Sequence, residues 1–165
     1  MTTVTERRPT DARQKTFSAA LLLCLLGFTP TAPAAEVVAR KDLEFARVGE
    51  HSLKLDLYLP PEPAKPSPLL IYVHGGAWRG GSKKDVPIAA LAGKGFAIAS
   101  VDYRLTPVAP FPANVHDLKA AIRFLRAQAG EFGYDPKRFA VVGSSAGGHL
   151  AALVGVSNGH QELEG

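Results

Sequence analysis

One run of twelve residues constrains this chain more than any other: Phe139-Ala-Val-Val-Gly-Ser-Ser-Ala-Gly-Gly-His-Leu150. Its first four residues, Phe139 to Val142, are apolar strand formers, and Gly143 breaks them off abruptly. Gly143-Ser144-Ser145-Ala146-Gly147 then reads G-x-S-x-G, and a helix-forming run from His149 to Val154 follows at once. A serine on a sharp turn from strand to helix has its hydroxyl pushed out of the backbone. The helix behind it offers unpaired N–H groups and a positive dipole end, both suited to an oxyanion. Ser145 is therefore the candidate nucleophile, and the small neighbours Gly143 and Gly147 let the chain fold that sharply. A glycine-rich loop with an ordinary serine matches the same five-residue pattern; the flanking strand and helix favour the sharp elbow.

A second element lies upstream. Leu69 to Val73 is a continuous apolar run, as expected of a strand covered on both faces, and it ends in His74-Gly75-Gly76-Ala77-Trp78. Sites in open α/β sheets form at the carboxyl ends of strands. Glycines there let the backbone approach a ligand closely with its N–H groups exposed. Acyl transfer needs donors aimed at a developing oxyanion, and this loop together with the N–H of Ala146 can supply them.

The rest of the chain supplies a frame for these two loops. Residues 1–34 read as a secretory signal: Arg13 and Lys15 close a basic stretch, Phe17 to Phe28 is apolar, and Ala32-Pro33-Ala34 offers a cleavage site. The apolar stretch is too short to span a bilayer, so the expectation is an exported protein, periplasmic or secreted, without stable membrane insertion after cleavage. The single cysteine, Cys24, falls within this leader. About half of the formal net charge of +4 also lies there, which leaves no basic stripe for nucleic acid. Arg79 with Lys83 and Lys84 is the one dense basic cluster and reads as a solvated loop.

From residue 35 onward one domain is expected. Leu53, Leu55, Leu57 and Leu59 alternate with Lys54, Asp56 and Tyr58, the period of a half-buried strand. Val37 to Phe45 reads as its antiparallel neighbour across a turn at Gly49-Glu50. A helix is predicted from Asp85 to Ala92, a buried strand from Phe96 to Val101, and an amphipathic helix from Ala113 to Ala129 closed by Gly130. Asp135-Pro136 reads as a turn before the strand that leads to Ser145. Strands alternating with helices imply a mostly parallel sheet with helices on both faces.

Taken in order, H-G-G-x-W after one strand, Y-R-L before a P-F-P loop and G-x-S-A-G-G after a later strand resemble the α/β-hydrolase superfamily. The similarity is to its carboxylesterase branch, hormone-sensitive-lipase-like and bacterial feruloyl-esterase-like, over roughly residues 40 to 165. The resemblance implies a serine hydrolase that cleaves a small-molecule carboxylic ester through an acyl-enzyme on Ser145. It implies an oxyanion hole from the N–H groups of Gly75, Gly76 and Ala146, with His74, Trp78, Gly143 and Gly147 in support. His74 is then a loop organiser and not the general base. Such esterases commonly read Y-R-L-A-P-E where this chain has Tyr103-Arg104-Leu105-Thr106-Pro107-Val108.

In that fold the nucleophile is followed by an acid and then a histidine. After Ser145 the chain offers His149, His160, Glu162 and Glu164, none of them on a loop after a later strand. His51, and His116 beside Asp117, read as surface or structural groups. The sequence is thus expected to be a fragment, truncated after the elbow helix. Residues 35 to 165 alone are expected to be poorly folded and nearly inactive, since a serine without its base is a weak nucleophile. No metal or organic cofactor is implied, because H-x-x-x-H, C-x-x-C and G-x-G-x-x-G spacings are absent. No residue pattern fixes an oligomeric state. Two rival readings stand beside the esterase: an arylformamidase or exopeptidase of the same fold, and a non-catalytic interaction protein that reuses it.

Overall fold

The computed structural model describes residues 36–61 and 66–165. These belong to one compact unit, Ala34–Gly165. The secretory leader read in residues 1–34, with Cys24, lies outside the described residues.

Strands β1 (Val38–Val48) and β2 (His51–Leu59) form an antiparallel hairpin about Gly49, whose φ of 57° is the left-handed value such a turn needs. The alternating leucines of β2 do point inward: Leu53, Leu55 and Leu57 are buried. Strands β3 (Ser67–Val73), β4 (Ala97–Val101) and β5 (Tyr134–Gly143) complete a sheet in the order β1-β2-β4-β3-β5. The pairs β1/β2 and β2/β4 are antiparallel, while β4/β3 and β3/β5 are parallel. The sheet is therefore mixed, and its parallel part is the part that carries the two glycine loops.

Between β3 and β4 runs a short 3-10 helix, Ala89–Lys94; between β4 and β5 run α1 (Ala113–Ala127) and α2 (Ala129–Phe132). The chain steps from β3 to β4 in one direction and then back across β3 to β5. Right-handed crossovers in opposite directions place the 3-10 helix and α1 on opposite faces of the sheet. Helix α1 covers its face with Val115, Leu118, Ala121 and Leu125, all buried against Ile71, Val73 and Leu150 of the common core. Val115, Leu118 and Leu125 each contribute roughly 1.5–3 kcal/mol on removal from water. Helices α3 (Ala146–Val156) and α4 (Gln161–Glu164) close the described chain.

Four expectations need correction. The helix predicted over Asp85 to Ala92 is only a 3-10 turn beginning at Ala89, because Pro87 and the glycines at 93 and 95 leave too few residues for an α-helical nucleus. The amphipathic helix stops at Ala127, and the glycine that closes the helical segment is Gly133 (φ 77°), one short helix later than Gly130. Asp135-Pro136 is not a turn but lies inside β5, where Tyr134 pairs with Ser67 and the register shifts before Leu69/Phe139. Among the described strands β5 pairs only with β3, and an edge strand tolerates the missing N–H of proline. Finally, Asp56 on the polar side of β2 is buried rather than solvated, because the loop after β3 covers it.

Candidate active site

Strands β3 and β5 are neighbours, parallel, and in register to their last residues, Val73 beside Gly143. Their two loops must therefore leave the sheet side by side, at the end where parallel sheets bind ligands. Contact between the loops is backbone on backbone. A Cβ on Gly147 would lie 2.1 Å from the Val73 carbonyl oxygen and 2.5 Å from that of His74. A Cβ on Gly143 would lie 2.4 Å from the Gly147 carbonyl group, and one on Gly75 3.0 Å from the Ser144 carbonyl oxygen. At Gly143 and Gly147 only glycine fits, and at Gly75 a Cβ would press on the Ser144 carbonyl, so the two glycine loops meet backbone to backbone.

Ser145 sits at φ 49°, ψ −120°, outside the conformations an ordinary residue prefers. Such strain costs of order 1–3 kcal/mol and persists only when its surroundings enforce it. Here the fixed end of β5, the Gly147 N–H bonded to the Ser144 carbonyl at 2.9 Å, and the His149 N–H bonded to the Ser145 carbonyl at 3.1 Å enforce it. The Ser145 side chain is exposed and caps no helix N–H. The N–H groups of Gly75, Gly76 and Ala146 take part in none of the hydrogen bonds among the described residues. An exposed hydroxyl thus stands beside a helix N-terminus and a loop with unused donors, a geometry suited to a tetrahedral oxyanion.

His74 is buried, stacks on Tyr103 (ring centroids 4.4 Å apart) and lies with Nδ1 2.7 Å from the Gly75 carbonyl oxygen. In that bond Nδ1–H donates. Tyr103 donates to the His74 carbonyl at 3.1 Å, and burial pushes its hydroxyl up to about 12. His74 therefore organises the loop from within. Trp78 is held at φ 60°, its carbonyl accepting from the N–H and hydroxyl of Thr106, with its indole edge-on to His149 at 5.5 Å. Tyr72 and Ser144 share a hydrogen bond of 3.1 Å, which ties the residue before Ser145 to β3.

The five histidines can all be placed. His74 and His149 are as described, and His116 meets the Glu162 carbonyl oxygen at 2.9 Å. His51 and His160 are exposed. Among the described residues none is hydrogen-bonded to Ser145, and no carboxylate completes a relay. Asp117 is buried and takes a bidentate pair with Arg104, at 2.7 to 3.1 Å, plus the Arg104 N–H at 2.8 Å. That bond pattern holds the Arg104 guanidinium above its ordinary value. The pair pins the Tyr103-Arg104-Leu105 segment to the start of α1.

Lys83 was expected in solvent with Arg79 and Lys84, and the structure corrects this. It is buried, with Nζ 2.5 Å from Asp56 and 2.9 Å from Asp42. Burial alone would raise the Asp56 carboxyl, but hydrogen bonds from Lys83, the Asp42 N–H and Lys41 outweigh it and hold it below its ordinary value. For Lys83, burial would lower the ammonium, and the same partners hold it high instead. No signal in the sequence marked this pair: Asp56 shares the polar face of β2 with Lys54 and Tyr58, and Lys83 precedes another lysine. Among the described residues no group of three or more His, Cys, Asp or Glu could hold a metal ion, and no helix is long and apolar enough to cross a membrane. A hollow of about 550 Å³ opens between α1, α3 and β5, but Ser145 does not line it.

A family model, BD-FAE, matches residues 55–165, two thirds of the chain and both glycine loops. The chain belongs to that family of α/β-hydrolase carboxylesterases. Among curated relatives, the esterase LipC of Mycobacterium tuberculosis (strain ATCC 25618 / H37Rv) is 44% identical over 98 residues, which is 58% of this chain and 24% of LipC. Carboxylesterase NlhH of Mycobacterium tuberculosis (strain CDC 1551 / Oshkosh) is 39% identical over 109 residues, 64% of this chain and 34% of the relative. The BD-FAE chain thus spans about a quarter to a third of the length of these relatives. Among solved structures, a bacterial heroin esterase superposes with a TM-score of 0.68 at 35% identity, over 80% of this chain and 43% of that one. A truncated form of carbohydrate esterase from gut microbiota gives 0.68 at 31% identity, over 81% and 52%. The α/β-hydrolase fold expected from the resemblance of the three ordered motifs is the fold these structures share.

Proposed function

We propose that this BD-FAE protein is a serine carboxylesterase. The observation that carries the reading is the strained, exposed Ser145 (φ 49°) facing a glycine loop whose N–H groups are unused. In this reading Ser145 Oγ attacks an ester carbonyl. The oxyanion that forms accepts hydrogen bonds from Gly75, Gly76 and Ala146, each such donor being worth about 10²–10³ in rate. Collapse of that intermediate expels the alcohol, leaves an acyl group on Ser145, and water then releases the acid. A histidine must take the Ser145 proton and return it to the leaving oxygen. None of the described histidine side chains is hydrogen-bonded to Ser145, so the reading leaves that base and its carboxylate unassigned among the described residues. The names of the relatives favour an ester over a formamide or peptide bond. Export, proposed from residues 1–34, is checked by sequencing the mature N-terminus, which should begin at Ala35.

The test is active-site labelling of the protein isolated from its own cells. A fluorophosphonate should modify Ser145 and no other residue, Ser145→Ala should abolish labelling, and turnover should be faster on a short-chain aryl ester than on N-formylkynurenine. A folded protein whose Ser145 stays unlabelled would overturn the reading in favour of an interaction protein. Faster turnover of the formamide would overturn the ester assignment.

A further inference from the structure

The loop from His74 to Lys83 carries two of the three oxyanion donors, yet its tip is exposed, and glycine occupies positions 75, 76, 80 and 81. Free glycines would leave those donors badly defined, since each can adopt both signs of φ. What holds them is the returning limb of the same loop. The Gly76 carbonyl accepts the N–H groups of Arg79 at 2.9 Å and Gly80 at 3.0 Å. A Cβ on Gly76 would meet the Gly80 carbonyl oxygen at 2.2 Å, and one on Gly81 would meet both the Gly75 carbonyl oxygen and His74 Nδ1 at 2.5 Å. The outgoing and returning limbs are thus packed backbone to backbone, and a displacement of Gly80–Gly81 is passed directly to Gly75–Gly76.

Two residues beyond Gly81 the limb is fastened by Lys83. Its backbone N–H donates to Asp102, at the end of β4, at 2.6 Å. Its side chain, 5% exposed, runs inward to Asp56 on β2 and Asp42 on β1. Asp56 is fixed in turn by Lys41 and by the Asp42 N–H at 2.9 Å. Lys83 therefore connects the far end of the glycine loop to three strands of the sheet, and it touches no atom of the site itself. We infer that Lys83 is a positioning residue for the oxyanion hole: locked between Asp56 and Asp42, it fixes the Gly80–Gly81 limb against which the donors of Gly75 and Gly76 are set. This rests on the esterase reading and extends it to a residue 62 positions before the nucleophile in sequence.

A misplaced oxyanion donor weakens the transition state more than the ground state, so the loss appears in kcat and not in KM. The experiment is steady-state hydrolysis of a short-chain aryl ester by the protein isolated from its own cells and by its Lys83→Met variant. Both are normalised to phosphonate-titrated Ser145, so that unfolded molecules are not counted. Lys83→Met should lose at least tenfold in kcat per titrated site with KM changed less than threefold. Asp102→Ala, which frees only the Lys83 N–H at a half-buried position, should show the same split with a smaller loss. It also serves as the deciding variant where Lys83→Met does not fold. A per-site kcat within twofold of wild type, whatever the melting temperature, would make Lys83 merely structural and overturn the inference, as would a rise in KM at constant kcat. A wild type without esterase activity overturns the esterase reading and this inference together, whereas an active wild type indifferent to Lys83 overturns this inference alone.

Discussion

Gly147→Ala is a test in which two effects of the same methyl group compete. Within a helix, alanine is favoured over glycine by about 1 kcal/mol, and α3 would gain that amount. Against it, the new Cβ would stand 2.1 Å from the Val73 carbonyl oxygen, about 1.3 Å short of the 3.4 Å at which ordinary contact begins. The clash is with backbone on both sides, so no side chain can swing away. Strand β3 is paired on both edges and buried, whereas α3 begins at an exposed turn. The helix N-terminus is therefore what moves, and it carries Ser145 and the Ala146 N–H with it. Overpacking of this kind costs about 1–3 kcal/mol, and a displacement near 1 Å at a reacting group costs about 10²-fold in rate. The clash wins. With the propensity gain subtracted the net cost is about 1 kcal/mol, so Gly147→Ala should lower the melting temperature by roughly 4 °C and kcat on an aryl ester by about 10²-fold. Gly155→Ala, in the same helix with nothing within 4 Å of the new atom, isolates the propensity term and should stabilise by about 0.5–1 kcal/mol with activity unchanged. Differential scanning fluorimetry and initial rates on the three proteins decide. If Gly147→Ala melts within 1 °C of wild type, about a quarter of a kcal/mol, and keeps its rate, the close approach of elbow and β3 is not what constrains this site.

Arg104→Met should cost about 3 kcal/mol in urea unfolding, because it strands the buried Asp117 carboxylate; a cost under about 1 kcal/mol would show the pair to be solvated. The Asp56 carboxyl is held below its unfolded value of 3.8, so its pairing stabilises the fold above that pH and is lost as pH falls through the folded value. The stability gap between wild type and Lys83→Met should accordingly shrink as pH falls below about 4; a gap as large at pH 3 as at pH 6 would refute it. Tyr103 is raised from 10.0 to about 12, so its contribution is complete below pH 10 and falls as pH climbs towards 12. Tyr103→Phe should lose about 1 kcal/mol at neutral pH with the hydrogen bond to His74, and lose less than wild type on going from pH 9.5 to 11.5.

The two loops were legible because their chemistry is local. An apolar run, a glycine turn with a central serine and a helix former after it favour a sharp strand-to-helix bend, and the fixed end of β5 with the first turn of α3 holds Ser145 strained there. The leucine alternation of β2 and the apolar runs of β3 and β4 were readable for the same reason: burial on one or both faces leaves a period in the sequence. Element ends were less so, because Gly130 and Gly133 are equally good stops by composition and only packing of Ala129 and Tyr134 against α1 and β3 selects the second. The polar anchors were not legible at all. Lys83, Asp56 and Asp42 are far apart in sequence, and each alone has the composition of a surface residue. A period of two said that Asp56 leaves the leucine face of β2; it could not say that another loop would lie over it. The sequence by itself thus determined where a strained, exposed serine and its facing glycine loop sit along the chain, because backbone sterics act between neighbours. Only the tertiary structure decided which distant charges fasten the far end of that glycine loop, because a buried ion pair is specified by the strands that bring its partners together and leaves no pattern in either one.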